Sequence, residues 1–142
     1  MLVHLVAALF LLALCVIIHA TGVTLALRWV PRRPGTVLRF WRWTRLFFRV
    51  AAWMIVLHVI EIGIWALYYT WAGALPDLTS AFYFSAVTYT TTGYGDVVLS
   101  ESWRLLGALE ALTGILMCGW STGFFFAVVS RMSELRVSSS QP

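Results

Sequence analysis

The stretch AVTYTTTGYGDVV, residues 86–98, gathers threonines, two glycines and an aspartate in a chain that is otherwise strongly apolar. Segments long enough and apolar enough to cross a bilayer lie on both sides of it. A turn in a soluble protein would use the glycines but would not need such flanks. The stretch is therefore interpreted together with the membrane segments around it.

The composition of the chain is that of an integral membrane protein. Of its 142 residues, 61% are hydrophobic and 11% are charged, against roughly 45–50% and about 25% in a typical soluble domain. All ten basic residues are arginines, so chemistry that needs a lysine amine, such as a Schiff base, is excluded. Cys15 and Cys118 lie in different apolar segments, and we interpret both as buried thiols.

Three segments are long enough to form spanning helices, which need about 20 mainly apolar residues. They are residues 1–27, 50–71 and 103–130. The first lacks the positive n-region of a signal peptide, so we interpret it as a helix. Nine of the ten arginines lie between the first two spans or after the third. This bias predicts a multi-pass cell-membrane protein with its N-terminus outside and its C-terminus inside, and the compact build suggests a bacterial inner membrane.

The segment between the second and third spans begins with a helix stop and a helix start. Pro76 cannot continue the preceding helix, and Asp77 or Thr79 can cap a new one. The pattern predicts a short helix over residues 78–89, too short to cross the bilayer and too apolar to lie in water. Such a re-entrant element is tolerated only where protein buries it or where it lines a watery cavity. The chain therefore predicts a pore or a cavity.

An arginine-rich segment, residues 28–49, lies between the first two spans. Its arginines and aromatic residues fall on opposite faces at helical spacing, which predicts a cytoplasmic interfacial helix on the inner leaflet. Its partner is then anionic lipid rather than nucleic acid. A voltage-sensing helix has the same arginine spacing but needs acidic partners, and the upstream helix has none. Residues 131–142 are interpreted as a solvated cytoplasmic tail.

The threonine–glycine segment, residues 91–95, has the chemistry of a cation site. If its carbonyl groups turn toward one axis, they form a stack of oxygen rings that can replace the water shell of a monovalent cation. Gly93 and Gly95 can adopt the positive φ values that this requires. The Thr91 hydroxyl would add a ring at the inner end, and Tyr94 would pack behind the strand. One loop supplies only part of each ring, so a symmetric oligomer is required.

The string TTGYGD, residues 91–96, resembles the selectivity-filter signature of potassium channels. The order helix, pore helix, filter, helix over residues 50–130 resembles the two-transmembrane pore module of the ion-channel-2 type. The resemblance implies an all-α homotetramer with an inverted-cone bundle of inner helices, no enzymatic activity, no cofactor, and K⁺ as the permeant ion. It implies that K⁺ is coordinated by Thr91, Thr92, Gly93, Tyr94 and Gly95.

The resemblance also assigns residues around the filter. Asp96 would lie at the outer mouth, hydrogen-bonded behind the filter, where its charge raises the local cation concentration. Trp103 would anchor the outer end of the pore-lining helix. Val87 occupies a pore-helix position at which some members carry a glutamate, so that buried acid is missing here.

Two acidic residues lie inside the predicted spans, where an ionisable group is a functional hypothesis. Glu110 falls about 10 Å below the outer end of the third span, level with the filter, and we interpret it as a filter support rather than a merely packed carboxyl. Glu61 has His58 one turn before it. A structural hydrogen bond to a neighbouring helix is favoured over a proton-sensing pair, and a metal site is disfavoured because two ligands do not close one.

Two positions in the third span are candidates for gating. Gly114 lies midway and is either a hinge or, with Gly119 and Gly123, a site of close helix packing. Phe124 is a candidate gate that narrows the inner mouth by dewetting.

The sequence as a whole predicts a potassium-selective channel that conducts passively through a tetramer. The alternatives are a weakly selective cation channel and a non-conducting adaptor or regulatory subunit. Gating is expected to come from the filter, the helix bundle, lipid or a separate gating protein.

Overall fold

The computed structural model describes residues 2–30 and 40–139, and these residues form an all-helical fold. The helices are α1 (Leu2–Leu27), α2 (Phe40–Trp71), α3 (Leu78–Tyr89) and α4 (Arg104–Ser139), with a single 3₁₀ turn (Glu101–Trp103) before α4. The stretches Leu2–Leu27, Trp41–Trp71 and Glu101–Arg131 are long and apolar enough to cross a membrane. The expected class, an all-α membrane protein with three spanning helices, is confirmed.

The short helix α3 is held between α2 and α4, and α1 packs against α4 and α2. Two apolar clusters fill the interfaces. The first surrounds α3 and includes Cys15, Trp65, Tyr69, Phe84, Tyr89, Leu106 and Met117. The second lies toward the start of α2 and includes Val23, Ala26, Trp43, Leu46, Val50, Phe124 and Val128. Because α1 contributes to both clusters, it is an integral part of the helical unit.

The arginine-rich segment differs from the expected separate interfacial helix. Residues 31–39 lie outside the described part of the chain, and from Phe40 onward the segment continues into α2 without a break. Trp43, Leu46 and Val50 recur at helical spacing and are buried in the second cluster, so this face packs on protein rather than on the leaflet. Arg49 stacks on the ring of Trp29, at 4.6 Å from its centroid.

Helix α4 is longer than the sequence interpretation. It continues through Ser139, whereas the inner helix was expected to end at residue 130 and a solvated tail to follow. The physical reason is local, since no glycine or proline occurs between Gly123 and Ser139 to stop the helix.

The two cysteines have different surroundings. Cys15 is buried, as expected, but Cys118 is exposed. The buried positions of α4 include Thr113, Met117 and Ser121, which recur every four residues, and Cys118 lies beside this stripe rather than on it. The prediction that Cys118 is buried is therefore wrong for the single chain.

Candidate functional site

The N-terminus of α3 is capped by Asp77 rather than by Thr79. Asp77 Oδ1 accepts from the backbone N–H of Ser80 at 2.9 Å, and Oδ2 accepts from the Ser80 hydroxyl at 2.8 Å. These bonds hold the pKa of Asp77 below its usual range, the backbone bond being the larger cause. Together with Pro76, the cap explains why a new helix starts at Leu78.

The backbone of the threonine–glycine segment alternates in handedness. Thr91, Gly93 and Gly95 have positive φ values of 59°, 60° and 78°, whereas Thr92 and Tyr94 are not in that region. The N–H groups of Thr92 and Gly93 both donate to the carbonyl oxygen of Val87, at 2.9 and 3.2 Å.

These two hydrogen bonds determine where the neighbouring carbonyl groups point. In a trans peptide the C=O of one residue is antiparallel to the N–H of the next. Since the N–H groups of Thr92 and Gly93 turn toward Val87, the carbonyls of Thr91 and Thr92 turn away from α3 to the opposite side. The segment thus presents consecutive carbonyl oxygens in one direction, which is the arrangement that binds a dehydrated cation.

A positive φ at Thr91 was not expected from the sequence. A β-branched residue in this region is strained by about 1–2 kcal/mol. The strained conformation is held by hydrogen bonds on both sides, because the Thr91 N–H donates to Thr88 at 2.9 Å and the next two N–H groups bond to Val87. The hydroxyl of Thr92 is 2.9 Å from that of Thr90.

Residues 91–96 are exposed in the single chain. Tyr94 in particular is 73% exposed. The side chain that was expected to pack behind the segment therefore has no such packing within its own chain.

Asp96 is bonded to α3 by a residue that the sequence analysis missed. The hydroxyl of Tyr83 donates to Asp96 Oδ2 at 2.6 Å, which holds the pKa of Asp96 below its usual range. Asp96 thus accepts a hydrogen bond from the short helix that precedes the segment, with Tyr83 as the donor. The available signal was a tyrosine, an aromatic residue with a polar tip, between two phenylalanines in the middle of the short helix.

The lowered pKa of Asp96 predicts an acid dependence that Tyr83→Phe removes. A depressed pKa in the folded state contributes stability above the unfolded pKa, about 3.9 for aspartate, and this contribution is lost as the pH falls through the folded value. We therefore expect the thermal stability of the wild type to exceed that of Tyr83→Phe above about pH 4, and the two to converge in stronger acid. Tyr68→Phe is the control, since within the described residues the Tyr68 hydroxyl makes no hydrogen bond. A constant difference at all pH values would contradict the prediction.

Glu110 is fully buried and ties α4 to two other helices. The Tyr69 hydroxyl on α2 donates to its Oε2 at 2.8 Å, and the Ser85 hydroxyl on α3 donates to its Oε1. Ser85 also lies 2.9 Å from the carbonyl oxygen of Ile62. Glu110 therefore contacts α3, which carries the threonine–glycine segment, rather than the segment itself.

Gly114 lies where α4 passes directly behind the last residue of α3. A Cβ placed on it would be 1.8 Å from the carbonyl oxygen of Tyr89, whereas Gly119 and Gly123 have open space. The structure thus supplies a packing reason for Gly114, one of the two expected roles.

Phe124 does not occupy an exposed face. It is 6% exposed and lies in the second cluster, while Phe126 is 73% exposed. A side chain that narrows a pore between copies has to be exposed in the single chain, so the placement of Phe124 contradicts its expected role as a gate in this conformation.

A polar cluster at the C-terminal end of α3 connects α1, α2, α3 and α4. It consists of His19, His58, Glu61, Tyr89 and Ser121 and is named here the His–Glu cluster. Glu61 Oε1 lies 3.0 Å from His19 Nδ1, Oε2 accepts from the Tyr89 hydroxyl, and His58 Nδ1 is 3.0 Å from that hydroxyl. The favoured expectation, a structural hydrogen bond from Glu61 to a neighbouring helix, is what the structure shows.

Three members of this cluster were missed from the sequence. In the structure His19 lies on the buried stripe of α1 with Ala8, Leu11 and Cys15, but the sequence does not mark this stripe, because nearly every face of α1 is apolar. Tyr89 and Ser121 had no signal that separates them from other residues of apolar helices.

Comparison with known proteins identifies the family of the region that contains the short helix and the threonine–glycine segment. The family model Ion_trans_2, described as an ion channel, matches residues 54–131, more than half of the 142 residues. The match begins within α2 and contains α3, the threonine–glycine segment and α4 as far as Arg131. No curated protein and no solved structure matches the chain. With its two spanning helices around a short helix and a carbonyl-presenting segment, the chain belongs to the two-transmembrane ion-channel family.

Proposed function

We propose that the protein is a potassium-selective channel that conducts passively, without catalysis and without a cofactor, and that residues 91–95 are its filter. The observation that carries this proposal is the backbone of the segment. Positive φ values alternate at Thr91, Gly93 and Gly95, and two N–H groups bonded to Val87 turn the carbonyl oxygens of Thr91 and Thr92 to the side away from α3. Such rings of carbonyls select K⁺ in channels.

The conducting unit that we propose is a homotetramer with an inverted-cone arrangement of α4. Exposed backbone carbonyls at membrane depth are tolerated only where protein or a watery cavity surrounds them. A single chain leaves the filter and Tyr94 exposed. Further copies arranged around one axis would close the rings and cover Tyr94, with the exposed face of α4 lining the cavity below.

Orientation and surroundings are proposed from charge. The arginine bias of the sequence supports an N-terminus outside and a C-terminus inside a cell membrane, with a bacterial inner membrane as the site. Arg42 and Arg45 near the start of α2 would then face anionic lipid at the inner surface. The opening stimulus would act through the filter, the bundle, lipid or a separate gating protein.

The test is ion flux in liposomes that contain the purified protein. We expect K⁺ flux to exceed Na⁺ flux by at least about tenfold, equivalent to a barrier difference of about 1.4 kcal/mol, and we expect barium to block it. Protein-free liposomes are the control. Equal K⁺ and Na⁺ flux would favour a weakly selective cation channel, and absence of flux from a folded oligomer would favour a non-conducting adaptor or regulatory subunit.

A further inference from the structure

The His–Glu cluster brings three potential metal ligands together inside the helical unit. His19 Nδ1 is 3.0 Å from Glu61 Oε1, and His58 Nδ1 is 3.6 Å from Glu61 Oε2. The three ligand atoms lie within 4.8 Å of one another. His19 and Glu61 are fully buried, whereas the His58 side chain is 20% exposed in the single chain.

The opposite ring nitrogens of the two histidines meet at one hydroxyl. Ser121 Oγ lies 3.2 Å from His19 Nε2 and 3.1 Å from His58 Nε2. A serine hydroxyl can accept two hydrogen bonds and donate one. When both Nε2–H groups donate to Ser121, its own hydrogen can point to Met54 Sδ, at 3.6 Å.

One tautomer arrangement of the cluster favours a cation at its centre. If Nε2 is protonated on both rings, both Nδ1 atoms carry lone pairs that face the Glu61 carboxylate, and a cation between these three groups relieves their repulsion. If Nδ1 is protonated instead, the rings donate to Glu61 and Tyr89 and hydrogen bonds alone hold the cluster, an outcome that metal-binding measurements distinguish. Metal-bound histidines commonly donate their second ring N–H to a neighbouring acceptor, which fixes the tautomer and the ring orientation. Ser121 is placed to do this for both rings.

We propose that His19, His58 and Glu61 form a binding site for a divalent transition-metal ion of the zinc class. Two histidines and one glutamate are a three-ligand set used for Zn²⁺, which takes a fourth ligand to become tetrahedral. The Tyr89 hydroxyl is 3.0 Å from His58 Nδ1 and donates to Glu61 Oε2, so it is the neighbouring group that could supply the fourth ligand. Ca²⁺ and Mg²⁺ are disfavoured because they take about six or more oxygen ligands.

Metal binding would link α1 to the helices of the ion-channel region, residues 54–131. His19 belongs to α1, and His58 and Glu61 belong to α2, so the ion bridges two helices directly. Tyr89, beside the proposed site, is the last residue of α3, and the segment 91–95 begins two residues after it. The ion would thus fix the first helix and the end of α3 at the same point.

The test measures binding to the full chain, purified in detergent without a polyhistidine tag and stripped with a chelator. Equilibrium dialysis against Zn²⁺ is expected to give one tightly bound ion per chain, and metal addition is expected to raise the thermal unfolding temperature. Co²⁺ in the same site is expected to show the intense visible absorption of a tetrahedral ion. These readouts do not depend on conduction, so the failure of the proposed channel function would leave them unchanged.

Variants locate the ion within the protein. His19→Gln and His58→Gln are expected to abolish tight binding, and Ser121→Ala is expected to weaken it about 10–100-fold. His4→Gln is the matched control, since His4 is another histidine of α1 but stacks on Trp103, with ring centroids 4.2 Å apart. It is expected to bind as the wild type does.

Three outcomes would overturn the proposal. They are absence of stoichiometric binding to the folded wild type, an octahedral Co²⁺ spectrum, and binding that persists in both histidine variants. Absence of binding would mean that hydrogen bonds alone hold the cluster. If His19→Gln does not fold, the variants His58→Gln and Ser121→Ala test the proposal. His58 is partly exposed, and Ser121 contacts the two histidines but is not itself a proposed metal ligand.

Discussion

Replacing Gly114 with alanine is expected to destabilise the protein and to displace the end of α3. The new Cβ would lie 1.8 Å from the carbonyl oxygen of Tyr89 and 2.7 Å from its carbonyl carbon. Both are backbone atoms, which cannot move aside as the tip of a side chain can. Overpacking typically costs about 1–3 kcal/mol and occasionally more, and we expect this contact to reach the upper part of that range.

Gly119→Ala is the matched control for this substitution. Gly119 lies on the same helix, and a Cβ there meets nothing within 4 Å in the single chain. Alanine raises intrinsic helix stability by about 0.8–1.0 kcal/mol over glycine, and this gain applies to both variants. The difference between their unfolding temperatures in detergent therefore isolates the contact with Tyr89.

The same pair of variants separates the two roles expected for Gly114. If close packing is its role, Gly114→Ala lowers the unfolding temperature and reduces ion flux, while Gly119→Ala does neither. If Gly114 acts as a hinge, Gly114→Ala instead leaves the unfolding temperature unchanged and alters the opening of the channel. Equal unfolding temperatures for the two variants would contradict the close approach of α4 to α3.

Polar bonds place α3 from two sides, which explains why a small displacement at Gly114 matters. Ser85, in the middle of the helix, bonds to Glu110 on α4, and Tyr89, at its end, bonds to Glu61 on α2. A twelve-residue helix is marginal as an isolated structure, so these bonds and the surrounding packing determine its position. The carbonyl-presenting segment begins two residues after Tyr89 and inherits that position.

The features that the sequence predicts well are local. Pro76 and Asp77 mark the start of α3 within two adjacent residues, and the threonine–glycine run stands out because its surroundings are apolar. These signals depend on chain neighbours alone. They therefore identify the short helix, the segment that follows it, and the spanning helices on both sides.

The features that the sequence does not predict depend on which face of an apolar helix meets protein. In α1 nearly every face is apolar, so periodicity does not distinguish the protein side from the lipid side. For this reason the sequence does not predict the contact between His19 and Glu61, which lies 42 residues later in the chain. Phe124 was misplaced for the same reason, because an aromatic residue in such a helix can face lipid, a pore or another helix.

Gly93→Ala is expected to abolish potassium-selective flux, whereas Gly73→Ala is expected to leave it intact. Both glycines have positive φ, 60° and 73°, and a Cβ on either meets nothing within 4 Å. The left-handed conformation costs alanine about 1–2 kcal/mol at each site, so the local strain is matched. Only Gly93 lies in the proposed filter, and its N–H donates to Val87 at 3.2 Å.

The two variants differ in the structural consequence of a backbone that relieves this strain by returning to negative φ. At Gly93, a backbone that returns to negative φ breaks the alternation with Thr91 and Gly95 and turns a carbonyl out of its ring, once in every copy of the chain. At Gly73, the same change alters only the turn after α2. The comparison requires K⁺ and Na⁺ flux in liposomes together with unfolding temperatures, which should fall equally. If both variants conduct K⁺ as the wild type does, the segment 91–95 is not the conduction path, because conduction through this segment would not tolerate the loss of its carbonyl alignment.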